Sequence, residues 1–288
     1  MKSASVVAGK YAGKLVIQRY TGSQTTADPI LSSESPDGWG ASHKLLGVAY
    51  LYVRLEFDRE KFQGGVPNIS ALVTGKNDIL DPRDLGVRYT RNWALCVLDY
   101  LRSPLGLACT DPEIDFGSFI AAANLADEAV PLDAGGTVTQ PRYTVDGNFT
   151  LDRAPIDVMG EMLDSGGGAL VYVAGQYRLQ GGAYSTPASS LGPSDFAGPV
   201  RLNTRPSRRD LFNAVRGTFI DPGRFWQASE FGAMTNATLE AEDGERIWRD
   251  VEMPFVIDHT RAQRLARQML LRSRESLTFE APLRYSGL

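Results

Sequence analysis

Histidine and cysteine are the scarcest chemical groups in this chain: His43, His259, Cys96 and Cys109 are all it has of them. A zinc site needs such ligands clustered at helical or turn spacing. Neither histidine has a second His or Cys beside it, and the two cysteines stand far apart with no partner pair. Cys96 falls in an apolar helical stretch, where cysteine behaves as a small hydrophobe, and Cys109 reads as structural too. A serine nucleophile would need one of the two histidines as its base, and an α/β-hydrolase elbow would need Gly-x-Ser-x-Gly. Gly22-Ser23 and Gly117-Ser118 both lack the flanking glycine.

Carboxylates are more plentiful. Asp111, Glu113 and Asp115 cluster before a helix, and Glu240, Glu242, Asp243 and Glu245 surround Gly244. Paired acids are the machinery of glycoside hydrolysis, and they meet only in space. Acids at this position also cap a helix and complement its dipole. The first cluster reads as capping and the second as a solvated turn. Gly166-Gly167-Gly168 follows a helix, whereas a phosphate cradle precedes one, and Gly135-Gly136 is not followed by Lys-Ser/Thr. No cofactor and no metal is expected, and no catalytic residue is assigned.

Arginine forms two concentrations. Arg201, Arg205, Arg208, Arg209 and Arg216 fall within 16 residues, and Arg261, Arg264, Arg267, Arg272 and Arg274 decorate the last helix. Arg261, Arg264 and Arg267 recur at i, i+3 and are expected on one polar face. Two readings stand side by side. One is contact with nucleic acid or an acidic partner. The other is a solvated face whose arginine stems pack locally and whose heads pair with nearby acids.

The elements that must carry these residues are many and short. The chain has 288 residues, a formal net charge of −4, 43% hydrophobic and 22% charged residues. This is the composition of a folded globular protein without a global basic field. The N-terminus lacks the apolar core of a signal peptide. The most apolar run, Leu45 to Val53, is too short to span a bilayer. A soluble protein made inside the cell, with no stable membrane association, is the expectation. Lys14–Tyr20, Val48–Phe57 and Ile69–Thr74 read as strands, with a polar loop over 21–43. Helices are expected after Asn92, after Asp115 and from Pro155. Their apolar stripes are Trp93/Val97/Tyr100/Leu101, Phe116/Phe119/Ile120/Ala123 and Ile156/Met159/Leu163. Hairpins are expected at Asp146-Gly147 and Ala174-Gly175. Residues 185–199 read as a linker, Leu211–Ile220 and Ile247–Met253 as strands, and a final helix begins after Asp258 with Ala262, Leu265, Ala266, Met269 and Leu270 on one face.

Several phrases, taken in order, resemble one family. They are Trp39-Gly40-Ala41-Ser42-His43, Gly47-Val48-Ala49-Tyr50, Gly65-Val66-Pro67, Val73-Thr74-Gly75-Lys76 and Asp81-Pro82-Arg83. Asn92-Trp93-Ala94-Leu95, Asp99-Tyr100-Leu101, Ile114-Asp115, Arg142-Tyr143 and Asp146-Gly147 follow. The last are Ala154-Pro155-Ile156-Asp157-Val158-Met159-Gly160-Glu161-Met162-Leu163 and Gly175-Gln176-Tyr177-Arg178-Leu179. The succession, from about residue 11 onward, is similar to the hub region of phage tail-tip proteins, the tip attachment protein J family of lambda-like long-tailed phages. The resemblance implies a homotrimer at the distal end of the tail, like the baseplate hub of contractile tails, built of barrel-like domains in pseudo-sixfold symmetry. It implies that this trimer sits on a hexameric distal tail ring or tail tube protein, closes the channel until infection, and encloses the end of the tape-measure protein. Other tail-tip proteins would be neighbours, and phage DNA would pass only in transit. Receptor binding in the family lies in domains beyond the hub, and this chain stops at Leu288.

The expectation is thus an α+β protein of several short-stranded, barrel-like or sandwich subdomains with a few packed helices. Its parts are a mainly β segment over 1–90, an α+β segment over 91–197, and a β segment over 198–288 ending in an amphipathic helix and a terminal strand. It is expected to act as a virion component of the tail tip, assembled in the bacterial cytoplasm, and not as an enzyme. The alternatives are a tail-associated cell-wall hydrolase and a host-surface binding module. Trp39, Trp226 and Trp248, with Arg201, Arg205, Arg208, Arg209, Arg261, Arg264 and Arg267, are the candidate interface residues, against ordinary core packing for the tryptophans.

Overall fold

A computed structural model describes the chain except for residues 1–2, 7–8, 36, 185, 187–189, 204–210, 275–277 and 285–288. Residue contacts divide it into two units, Met1–Val73 and Thr74–Leu288.

The first unit is built on a three-stranded antiparallel sheet, β1 (Ser3–Val6), β2 (Leu15–Thr21) and β3 (Ala49–Leu55), paired in that order. Alternation puts Gln18, Tyr20, Tyr50 and Tyr52 on one face, and the register sets Gln18 opposite Tyr52 and Tyr20 opposite Tyr50. The expected loop between β2 and β3 contains a short helix, α1 (Pro29–Glu34), that clamps this face. Asp28 caps it by accepting from Leu31 N–H at 2.7 Å, and Tyr20 donates its hydroxyl to the same carboxylate. Burial and that bond push the Tyr20 phenol well above its ordinary pKa. Tyr52 donates to Glu34 at 3.1 Å. The strand expected over Ile69–Thr74 does not form. Its apolar run fits a strand, but among the described residues no neighbour pairs with it, and Leu72 and Val73 are each 73% exposed.

The second unit holds most of the core. It starts with a small hairpin, β4 (Ile79–Asp81) and β5 (Gly86–Arg88). Next comes α2 (Trp93–Arg102), whose cap Asn92 accepts from Ala94 and Leu95 N–H and donates its amide to Ala123 O at 2.9 Å. That second bond ties α2 to α3 (Phe116–Asp127), which Asp115 caps. A hairpin of β6 (Ala129–Pro131) and β7 (Thr139–Pro141) follows. The hairpin expected at Asp146-Gly147 is absent: Arg142–Val145 run instead as an extended connector through the core. Tyr143 N–H donates to Ala126 O, Val145 N–H to Arg91 O and Asp146 N–H to Phe255 O. Gly147 is there for close approach rather than for a turn, since a Cβ would come within 2.6 Å of Phe255 Cδ1.

Helix α4 (Pro155–Asp164) buries Val158, Met159 and Met162, whereas Ile156 of the expected stripe is 63% exposed. The helix is rotated by about one position because it packs on both α2 and β8 (Ala169–Val173). Strand β9 (Gln176–Gln180) returns along β8 through Ala174 (φ 52°) and Gly175 (φ 85°), the two left-handed residues that a tight hairpin demands. Gly166 and Gly168 lie against the indole of Trp93, which is fully buried and donates Nε1–H to Met162 O at 2.7 Å. Tyr143, also fully buried, donates to Gly182 O at 2.7 Å and accepts from Gln268 Nε2 at 2.8 Å.

The rest of the second unit is a two-stranded and a four-stranded sheet. Strand β10 (Arg201–Asn203) pairs with the last strand, and β11 (Ala214–Asp221) is the centre of the larger sheet. Strands β12 (Gln227–Glu230) and β13 (Met234–Thr235) pair antiparallel along β11, β12 at its end and β13 at its start. Helix α5 (Ala237–Asp243) then carries the chain over to β14 (Trp248–Met253), which pairs parallel with β11. A parallel partner needs such a crossover. Helix α6 (His259–Arg272) buries Ala262, Leu265, Ala266 and Leu270 in the same core cluster as Val215, Phe219 and Met253. Strand β15 (Thr278–Glu280) closes the chain's order against β10. The protein is α+β, and among the described residues no sheet closes into a barrel.

Candidate functional site

Five of the seven clustered carboxylates are engaged in local structure. Asp111 accepts from Arg102 Nε at 2.9 Å. Glu113 accepts from both the N–H and the hydroxyl of Thr110, which holds its carboxyl below the usual range. Asp115 caps α3 and pairs with Arg178 at 3.1 Å. In the second acidic cluster, Glu240 takes a bidentate Arg246 and Asp243 takes Arg274 and the Asn213 amide. Burial raises the Cys96 thiol to about 12 and raises Cys109 as well, so neither is a ready nucleophile. Among the described residues no three His, Cys, Asp or Glu side chains are grouped to hold a metal ion, and no helix is long and apolar enough to cross a membrane.

What the second unit does present is a surface of aromatic and arginine side chains around the β11 sheet. Trp248 stands opposite Ala214 on β14 and is 37% exposed. The Arg216 guanidinium lies 5.1 Å from its ring centroid and that of Arg246 lies 5.7 Å away. Both arginines are themselves anchored, Arg216 by Asp250 at 2.6 Å and Arg246 by Glu240 at 2.8 Å. These bonds hold both guanidinium groups above their usual pKa. The indole is thereby fixed as a half-open platform with a charged frame.

At the far end of β11 the chain turns through Asp221-Pro222-Gly223-Arg224-Phe225-Trp226. Asp221 accepts from Gly223 N–H at 2.8 Å through its side chain and from Trp226 N–H at 3.0 Å through its carbonyl. Phe225 (φ 55°) and Trp226 (φ 61°) are both left-handed, a conformation that costs non-glycine residues on the order of 1–3 kcal/mol each. Phe225 is 91% exposed and Trp226 42%. The turn therefore holds two aromatic residues out in solvent at a conformational cost.

The remaining candidates are placed as follows. Trp39 stacks on His43 with ring centroids 5.2 Å apart, and its buried Nε1 has no hydrogen-bond partner. Arg201 is exposed on β10, and Arg205, Arg208 and Arg209 lie outside the described residues. The expected shared polar face on α6 splits. Arg261 is 3% exposed and donates to Thr144 Oγ1 at 2.7 Å and Pro141 O at 3.1 Å, while Arg264 donates to Arg142 O at 2.6 Å. Burial pulls both guanidinium groups below their ordinary value. Of the three, Arg267 alone is exposed. The helix is turned so that Arg261 faces inward, because β7 and the 142–145 connector offer it carbonyl and hydroxyl acceptors. Phe225 was not singled out from sequence: a Pro-Gly turn followed by two aromatics has no periodicity. The pairing of Arg216 and Arg246 with Trp248 depends on strand register, which sequence spacing does not reveal.

Comparison with known proteins finds two matches. A family model described as "Putative phage tail protein" matches residues 155–288. Over 282 residues the chain is 25% identical to the baseplate hub protein pb3 of Escherichia phage T5, covering 89% of this chain and 29% of that protein. The chain is thus similar to phage tail and baseplate hub proteins. It spans less than a third of the length of that relative. The family-model match covers α4, the β8–β9 hairpin, the β11 sheet and α6, the region that carries the exposed aromatic turn and the Trp248 platform.

Proposed function

We propose that this protein is a structural component of a phage tail tip, located at the distal end of the virion tail and acting through assembly and not catalysis. In this reading, copies of the chain form a trimeric hub that closes the end of the tail tube and gates the exit of the tape-measure protein and DNA. The hub docks on the distal tail ring or the tail tube protein, beside other tail-tip proteins. The observation that carries the reading is the match of nearly the whole chain to a baseplate hub protein. The exposed aromatic residues on the β11 sheet and its turn support it, since aromatic and arginine side chains are the groups that anchor protein interfaces. A ring of three copies requires a heterologous, closing interface, in which two different patches of the chain meet.

The test is immunoelectron microscopy of the phage particles that carry this chain. Antibody against it should decorate the distal tail end alone. Decoration along the tail tube or at the head, or particles that lack the chain and still infect, would contradict the reading.

A further inference from the structure

The exposed aromatic turn has a counterpart on the same unit. Beside β13 and the C-terminal half of α6 lies a groove of about 330 Å³, lined by Met234, Thr235, Asn236, Arg267, Leu270 and Leu271. Leu270 forms a buried floor and Leu271 a wall that is 56% exposed. Arg267 stands at the rim and makes no ion pair among the described residues. The groove thus sets an apolar wall of Met234, Leu270 and Leu271 against a polar one of Thr235 and Asn236, with the Arg267 guanidinium at the rim, an environment that accepts an aromatic ring by burial on one side and cation–π attraction on the other.

The turn and the groove cannot meet within one chain. Strand β13 pairs with Ala214 and Val215 at the start of β11, and the turn begins at Asp221 at its end. Six residue steps of extended strand separate them, about 20 Å. A projecting aromatic pair at one end of a sheet and an aromatic-accepting slot at the other are the two halves of a head-to-tail contact.

We infer that the Phe225–Trp226 turn of one copy inserts into the Met234/Arg267/Leu271 groove of a second copy, and that this contact is the heterologous interface of the ring. The inference rests on the hub reading and gives it a surface. The occupant is a second copy of this chain because the chain itself carries both parts on one unit, the exposed aromatic pair and the slot that takes a ring, at opposite ends of one strand. The left-handed Phe225 and Trp226 make sense in these terms: backbone strain is maintained where it holds side chains ready for a partner. With Phe225 91% and Trp226 42% exposed, the pair has roughly 200–330 Å² left to bury on insertion, about a third of what one partner of a stable interface contributes, so the turn is the anchor of a wider contact.

The experiment uses the full chain and two variants. Phe225→Gly/Trp226→Gly removes the anchor and also suits the left-handed backbone, so folding is preserved. Leu271→Glu blocks the groove at an exposed position. Circular dichroism and thermal unfolding check that each variant folds. Sedimentation velocity should show that each variant alone self-associates about 30-fold more weakly than the unmodified chain, the loss expected for an interface anchor. Mixed together, the two variants should form a dimer and nothing larger, because one intact turn and one intact groove remain between them. Variants that assemble as the unmodified chain does would overturn the inference and leave the hub reading standing. Variants that weaken assembly but do not dimerise when mixed would also overturn it, by pointing to a symmetric contact. An unmodified chain that stays monomeric at every concentration, and on addition of the tail ring, would overturn both.

Discussion

Substituting Gly168 by alanine should produce one of the largest losses of stability obtainable with a single added methyl group. Gly168 ends the glycine run after α4, and its backbone is outside the left-handed region, so alanine meets no conformational penalty there. The cost is steric. A Cβ would lie 2.6 Å from Trp93 Cζ2 and closer still to Trp93 Cη2 and to the carbonyl oxygen of Gln180. Neither wall can yield cheaply. The indole is fully buried and pinned by its bond to Met162 O, and Gln180 O belongs to the backbone of β9. Overpacking a close-packed core costs about 1–3 kcal/mol, and two rigid walls place this site at about 3 kcal/mol. For a unit of this size that corresponds to a fall in Tm of roughly 6–12 °C. Chemical denaturation and calorimetry measure both quantities. The cause is tested by adding Trp93→Phe: the smaller ring makes room, so the double variant should lose at least about 1 kcal/mol less than the sum of the single ones. A Gly168→Ala protein within about 0.5 kcal/mol of the unmodified chain would refute the packing argument.

Gly160 gives the opposite result, because in the interior of α4 its Cβ would meet nothing within 4 Å: Gly160→Ala should raise stability by about 0.5–1 kcal/mol in the same denaturation assay. Asn92→Ala removes the cap of α2 and the buried bond from Asn92 to Ala123 O that ties α2 to α3, so a loss of about 2 kcal/mol is expected from urea titration. Asp81 is 1% exposed, and the Arg83 guanidinium first, then Arg83 N–H and Arg88, hold its carboxyl below the usual range. A carboxylate with a depressed folded pKa contributes stability that is complete above its unfolded value of about 3.9 and is lost as pH falls through the folded one. Asp81→Asn should therefore lower stability at neutral pH and flatten its decline in acid, as read from thermal unfolding between neutral pH and pH of about 3. The Cys96 thiol, raised to about 12 by burial, should alkylate with iodoacetamide far more slowly in the folded protein at neutral pH than after denaturation, as followed by mass spectrometry.

The helices were legible in the sequence because their signals are local. Asn92, Asp115, Pro155 and Asp258 mark the starts of α2, α3, α4 and α6, where cap chemistry and apolar spacing agree. The Ala174-Gly175 turn was legible for the same reason, since only that backbone joins two strands so tightly. What was not legible depends on partners distant in sequence. Asp146-Gly147 has the residues of a turn, but Arg91 and Thr144 take the carboxylate and Phe255 presses on the glycine. Ile69–Thr74 has the apolar residues of a strand and, among the described residues, no strand to pair with. Arg261 has the spacing of a solvated residue, but the 142–145 connector supplies acceptors that turn it inward. The exposed surface was partly visible: Trp226 and Trp248 stood out by residue type, while Phe225 and the arginine frame of Trp248 became visible only with the strand register of β11 and β14.

The central claim, that the chain is an assembling part of a tail tip, is tested most directly by its mass in solution. Multi-angle light scattering on the purified full chain, alone and with the distal tail ring protein, reads that mass without labels or variants. The account predicts a trimer, or a monomer that becomes three copies per ring on addition of the ring protein. A monomer that stays a monomer in the presence of the ring would contradict it.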